Sequence, residues 1–211
     1  MKQINNCDGI IFDMDGTIWD TREAVMLSWN ESFAKSGIDK ICTVPELEKL
    51  FGKTMENICL ALFPDRDFNE IWPAFKKAMD HENEYIAANG GILYPGVKET
   101  LEILSGRFPL YIVSNCQTGY IEAFYEYYGT KGFFKKHLCY GDNNLPKADN
   151  IKLIVESDNL KSPVYIGDTA LDKESSIEAG TAFIWASYGF GSAVESDYSI
   201  EAFADIPSIL A

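Results

Sequence analysis

Short apolar runs that end in polar residues recur along this chain. They alternate with stretches whose apolar positions come every third or fourth residue. Gly9, Ile10, Ile11 and Phe12 run into Asp13, with Gly16 marking a turn beyond. A brief, continuous apolar run of this kind reads as a buried strand. Residues 110–113, 138–140, 164–166 and 181–186 read the same way. Between them the helical period takes over. Pro95 and Gly96 open one helix through Leu101 and Leu104 to Arg107, and an aromatic-rich one carries Tyr120, Phe124, Tyr125 and Tyr128. Residues 147–156 and 172–179 supply two more, Gly180 ending the second, and the tail at 199–210 reads as a short helix. Strands alternating with amphipathic helices predict an α/β fold, a parallel sheet covered by helices on both faces.

One long segment breaks the alternation. From Asp20 to Asn89 the signals are helical throughout. Asp20, with Glu23 three residues on, is the expected cap of a helix whose apolar face carries Val25, Trp29 and Phe33 and which stops at Gly37. Thr43, Pro45 and Glu46 mark a second start, with Leu47, Leu50 and Phe51 as its stripe. Gly52 interrupts, and helices over 54–62 and 67–88 follow, the latter holding Pro73 in its first turn or at a kink. The expected division is therefore a core of residues 1–19 and 91–211, with an all-helical insert at 20–90.

Composition narrows the field. With 211 residues and 46% hydrophobic content, the chain can bury a full core and a smaller second one. The net charge of −14 repels nucleic acid polymers and anionic membranes, and an anionic substrate must be captured by local cations or a metal. No apolar stretch is long enough to span a membrane, and residues 1–8 are short of an apolar leader. The five cysteines, Cys7, Cys42, Cys59, Cys116 and Cys139, have no paired or zinc-type spacing and fit a reducing compartment. A cytoplasmic protein is expected.

Parallel sheets bind ligands beyond the carboxyl ends of their strands. Three of the expected strands end there in chemistry-bearing residues: Asp13, Ser114 with Asn115, and Gly167 with Asp168. Lys147 stands where another strand gives way to a helix. Asp13 and Asp15 are two apart on an extended segment and face one side. Two such carboxylates stay ionised together only beside a cation, and an oxygen-lined site suits magnesium. Asp168 and Asp172 add two more carboxylates. A carboxylate cluster with a metal, a lysine and a serine is what phosphoryl transfer needs: charge neutralisation, a nucleophile and an acid/base.

These residues resemble the four signature segments of the haloacid dehalogenase-like hydrolases, in order: Asp13-Met-Asp-Gly-Thr, Ser114 after an apolar strand, Lys147, and Gly167-Asp168 through Asp172. The helical insert is similar to the cap of the branch holding phosphoglycolate phosphatase and beta-phosphoglucomutase, and Tyr188-Gly-Phe-Gly191 resembles the end of phosphoglycolate phosphatase-like chains. The resemblance implies a Rossmann-like core with an inserted helical cap domain. It makes Asp13 the nucleophile and a magnesium ligand, and Asp15 the general acid/base, its backbone carbonyl on the metal. Asp168 would ligate the ion and Asp172 hold a metal-bound water. Ser114 and Lys147 would bind the phosphoryl group with amides near Asn115, Thr17 would orient the first segment, and Asp20 would sit at the hinge. One departure is Ala148, where many members carry proline after the lysine.

The implied activity is magnesium-dependent hydrolysis of a small phosphorylated metabolite (phosphoglycolate-, sugar phosphate- or nucleotide-like) through an aspartyl-phosphate, by a monomer or small homo-oligomer. A phosphomutase uses the same core, and product analysis with a hexose 1-phosphate separates the two. A non-hydrolytic phospho-acceptor signalling domain combines similar groups, but its acceptor ends a middle strand and it lacks the insert. Dehalogenases and phosphonate hydrolases lack the second acid that Asp15 provides. Ser114 could instead cap a helix, Lys147 could be a solvated lysine, and Asp172 could be a helix-start charge. Lys53, at the Gly52 turn, is either a substrate contact or a solvated cation. His81 reads as a surface residue, His137, Trp29, Phe33 and the aromatics of 120–128 as structural, and Cys116 as a buried thiol.

Overall fold

The computed structural model describes residues 3–192 and 194–210. Its centre is a six-stranded parallel sheet in the order β5-β4-β1-β6-β7-β8. The strands are β1 (Ile10–Phe12), β4 (Leu110–Ser114), β5 (Phe134–Cys139), β6 (Val164–Gly167), β7 (Ala182–Ala186) and β8 (Ser199–Ile200). Alternation along them sorts the core onto two faces. Ile10, Phe12, Leu110, Ile112, Val164 and Ile166 pack on one side, and Ile11, Tyr111, Val113 and Tyr165 on the other. Both faces are buried, which is why these strands are apolar without interruption.

The core helices are α5 (Val97–Ser105), α6 (Tyr120–Tyr128), α7 (Tyr140–Asn143), α8 (Lys147–Ser157), α9 (Ala170–Glu178) and α10 (Ile206–Ile209). The register is what builds the site. Phe12 lies level with Ile112 on one side and Ile166 on the other. Asp13, Ser114 and Asp168 therefore leave the sheet at one edge, on its three adjacent central strands.

The helical segment contains α1 (Arg22–Lys35), α2 (Val44–Glu48), α3 (Met55–Leu62) and α4 (Phe68–Asn89). It has its own apolar cluster around Trp29, Phe33, Phe63 and Phe75. Pro73 lies inside α4, in its second turn. Asp20 is not the N-cap of α1; Thr21 is, while Asp20 accepts from the Arg22 amide and guanidinium. Where the chain enters and leaves the segment, β2 (Trp19–Asp20) and β3 (Ile92–Leu93) form an antiparallel ribbon that the sequence pattern does not announce. Trp19 is fully buried there against Tyr120, Phe124 and Tyr128.

Three further differences are physical. β5 begins four residues before the expected strand because Lys135, Lys136 and His137 lie on a sheet edge, where polar side chains reach solvent. Lys147 does not follow a strand directly, since α7 and a loop intervene. The tail adds β8 before its short helix.

Candidate active site

Asp13 lies just beyond β1, its amide pinned to the Ile166 carbonyl at 2.9 Å. Its carboxylate Oδ1 accepts from Lys147 Nζ at 2.8 Å, and the same ammonium reaches Asp172 Oδ1 at 2.7 Å. All three side chains are buried. Burial pulls the Lys147 ammonium down, but Asp13 and Asp172 outweigh it and hold it above its ordinary value. Asp172 is held below the usual carboxylate range: burial opposes this, and Lys147 and Thr169 prevail. Four donors saturate Asp172, namely Lys147, Tyr165, and both the amide and hydroxyl of Thr169. The Thr169 contacts form a reciprocal capping box at the start of α9.

Asp168 is the third carboxylate. Its Oδ2 accepts from the Phe190 amide at 2.6 Å and the Gly191 amide at 3.1 Å. Its Oδ1 is buried with no hydrogen-bond partner among the described residues. Burial, then the charge of Asp172, pushes its carboxyl up to about 7. Gly16, at φ +81°, turns the backbone tightly against Asp168, and a Cβ there would fall on the carboxylate. One oxygen from each of Asp13, Asp168 and Asp172 lies within 4.8 Å of the others.

Asp15 faces the site from the same segment as Asp13. Its Oδ1 accepts from Thr21 Oγ1 and Tyr120 Oη, each at 2.6 Å. Burial raises its carboxyl to about 6, against the pull of those two hydroxyls. That places a proton donor and acceptor close to neutral pH, where acid/base catalysis is most efficient.

The structure brings five of the expected residues to one cavity of about 40 Å³, while Lys147, Asp168 and Asp172 lie outside its lining. Asp13, Asp15, Ser114 and Asn115 line it from the sheet edge, and Lys53, Trp29 and Glu82 from the helical segment. Ser114 Oγ accepts from the Cys116 amide at 3.3 Å. The Asn115 side chain crosses to the helical segment, donating to the Gly52 carbonyl at 2.8 Å. Lys53 is exposed, and Thr17 is not among the lining residues: its hydroxyl is buried without a partner among the described residues and its carbonyl accepts from Tyr188.

Residues 10–186 match the model of the haloacid dehalogenase-like hydrolases. The chain belongs to this family. Two curated relatives extend over most of it. A 5'-nucleotidase of Pseudomonas aeruginosa is 27% identical over 195 residues, covering 87% of this chain and 84% of the relative. A phosphoglycolate phosphatase of Agrobacterium fabrum is 25% identical over 214 residues, covering 95% and 91%. Among solved structures, a haloacid dehalogenase-like hydrolase from Bacteroides fragilis superposes with a TM-score of 0.82 at 20% identity, over 95% of this chain and 100% of that one. At that identity the likeness is one of fold.

The hydrolase's carboxylate triad fits a hard divalent cation. All donors are oxygens, Asp168 Oδ1 is buried without a partner, and Asp13 is raised well above the carboxylate range, first by burial and then by Asp172. A cation there would partner the Asp168 oxygen and offset the repulsion that raises Asp13. No helix among the described residues is long and apolar enough to cross a membrane.

Sequence reasoning missed several groups in this hydrolase. Tyr120, read as core, puts its hydroxyl on Asp15. The Phe190 and Gly191 amides that orient Asp168 carry no side-chain signal. Glu82 falls within the helix expected over 67–88 and is not singled out there, yet it is 1% exposed and on the cavity wall. A signal existed: Ile71, Phe75, Ala78, Glu82 and Ile86 are the buried face of α4, at helical spacing.

Proposed function

We propose that this chain hydrolyses a small phosphomonoester with magnesium, through an aspartyl-phosphate on Asp13. That it is a phosphatase follows from its family together with its phosphatase and 5'-nucleotidase relatives. The observation that carries the rest is that Asp13 and Asp15 line one buried cavity, and only Asp13 is paired with a lysine. Environment splits two carboxylates in one motif into a nucleophile and an acid.

In this reading Asp13, Asp168 and the Asp15 carbonyl would hold the magnesium, and Asp172 would support it. The ion supplies charge neutralisation for the phosphoryl oxygens. An Asp13 oxygen forms a bond to phosphorus as the bond to the leaving oxygen breaks, and Asp15 gives that oxygen its proton. Asp15 then takes a proton from water, which attacks phosphorus and releases Asp13. The Lys147 ammonium faces the charge that builds on the phosphoryl group, and Ser114 and the amides after it hold its oxygens. Thr17 acts indirectly, by supporting the turn at residues 14–18.

Residues 20–90 act as the cap over a core of 1–19 and 91–211. Support comes from the cap's separate apolar cluster, the ribbon at both crossings, and the Asn115–Gly52 bond across the cavity. A volume of 40 Å³ holds only roughly two or three waters, so the cap opens to admit substrate and closes to exclude solvent.

The test is phosphate release from a panel of small phosphomonoesters, with magnesium and with chelator. Release that needs magnesium and disappears in Asp13→Asn is expected. Undiminished turnover in Asp13→Asn would remove the proposed intermediate.

A further inference from the structure

Glu82 is the acidic residue that the cap contributes to the cavity wall. It is buried, and Trp29 Nε1 donates to its Oε2 at 2.5 Å. The amide of Gln117, on the loop after β4, donates to Asn83, one residue along the same helix, at 3.0 Å. A buried carboxyl on a helix face otherwise made of Ile71, Phe75, Ala78 and Ile86 is costly, and nothing in the cap's apolar packing calls for it. The steps proposed above do not use it. Burial pushes it up to about 8, with Trp29 opposing and the charge of Asp15 adding, and no ion pair reaches it among the described residues.

We propose that Glu82 is the specificity-determining residue of this cavity, and that it selects phosphomonoesters whose leaving group carries a protonated amine. The inference rests on the phosphatase reading and narrows it. An ammonium supplies the opposite charge that Glu82 lacks, and the aromatic side chains of Trp29 and Tyr120 line the same cavity. A leaving group bearing a carboxylate brings no positive charge for Glu82 to pair with as it ionises. A sugar or nucleoside brings several hydroxyls, but apart from Trp29, Lys53 and Glu82 the cap wall is Val25, Leu47, Leu50, Phe51, Gly52, Met55 and Ile58, which offer those hydroxyls no polar side chain. Lys53, the cation among the lining residues, is exposed.

The experiment compares kcat/KM of the magnesium-loaded full chain on 2-aminoethyl phosphate, propyl phosphate and 2-phosphoglycolate, with 4-nitrophenyl phosphate as a general substrate. The first two esters match in length and differ in charge. The amine is expected to be favoured over propyl by about 10- to 100-fold, the scale of one charge-assisted hydrogen bond, and over the carboxylate by more. In Glu82→Gln, of nearly equal shape, the amine-to-propyl ratio falls toward one. Equal or reversed preference in the wild-type protein overturns the inference while leaving the phosphatase reading intact, and that measurement needs no variant to fold. A ratio unchanged in Glu82→Gln also overturns it. If none of the four esters is cleaved, the phosphatase reading fails and this inference falls with it.

Discussion

Asn115 donates its side-chain amide to the carbonyl of Gly52 at 2.8 Å, tying the loop after β4 to the turn between α2 and α3 directly over the cavity. Phe51, beside that turn, packs edge-on against Phe190 at 5.2 Å, and the Phe190 amide holds Asp168. The position of the helical segment and the orientation of the Asp168 carboxylate thus meet within a few residues. Asn115→Ala removes the bond without touching Asp168. It should free the turn, at about 1 kcal/mol, or roughly fivefold in the closed population. Hydrogen exchange of residues 50–55 should quicken; unchanged protection would show that the bond does not hold the cap.

Asp15 accepts two hydroxyls and titrates near 6, whereas Asp13 accepts the lysine. Asp15→Asn keeps size and removes the proton. Turnover should fall about a hundred- to ten-thousand-fold, while inorganic phosphate still binds in the presence of magnesium. Parallel loss of binding and turnover would point to a collapsed site rather than a missing acid. Tyr120→Phe, which withdraws one of the two hydroxyls, should shift the alkaline limb of the pH–rate profile upward, because the hydroxyl favours the ionised form.

The elements that carry the chemistry were the most legible in the sequence. β1, β4 and β6 are buried on both faces, so each is an unbroken apolar run, and a polar residue at its carboxyl end stands out. β5 was foreshortened because an edge strand keeps lysines at 135 and 136 in water. The β2–β3 ribbon is two residues long on each side, too short for any period. Glu82 and Tyr120 were hidden for a different reason. A period assigns a residue to a face, but it does not say whether that face meets more core or a cavity shared with another element. Only the closure of α4 against the loop after β4 decides that.

Lys147 neutralises Asp13 and Asp172 in a site with 4% exposure or less. Lys147→Met leaves two buried carboxylates without their cation. In magnesium-free buffer the variant should lose about 3–5 kcal/mol of stability by urea denaturation. Magnesium should recover part of that loss and raise the melting temperature more in the variant than in the wild type. Asp168→Asn should blunt the magnesium response in both backgrounds, since it removes the unpartnered oxygen. A magnesium-induced rise in melting temperature that survives Asp168→Asn would place the ion elsewhere.

Glu82 also governs how stability responds to pH. Its carboxyl stands at about 8 in the folded protein against an ordinary 4.5, so between those values the folded state holds a proton that the unfolded state has released. Stability from this group is complete below about pH 4.5 and is lost as pH rises through about 8, at up to roughly 1.4 kcal/mol per pH unit within the window. Asp15 and Tyr120 are the titratable groups facing it. Asp15 changes near 6 in both proteins and largely cancels in a comparison, and Tyr120 stays protonated throughout. Glu82→Gln has no proton to release. Its urea midpoint should decline less steeply than that of the wild type from pH 5 to 8. The two curves should converge at acid pH, where Glu82 is protonated in both the folded and unfolded states, apart from a constant offset for the amide. Parallel curves across the window would mean that Glu82 ionises as readily inside the cap as outside, and that its burial carries no electrostatic cost for a ligand to relieve.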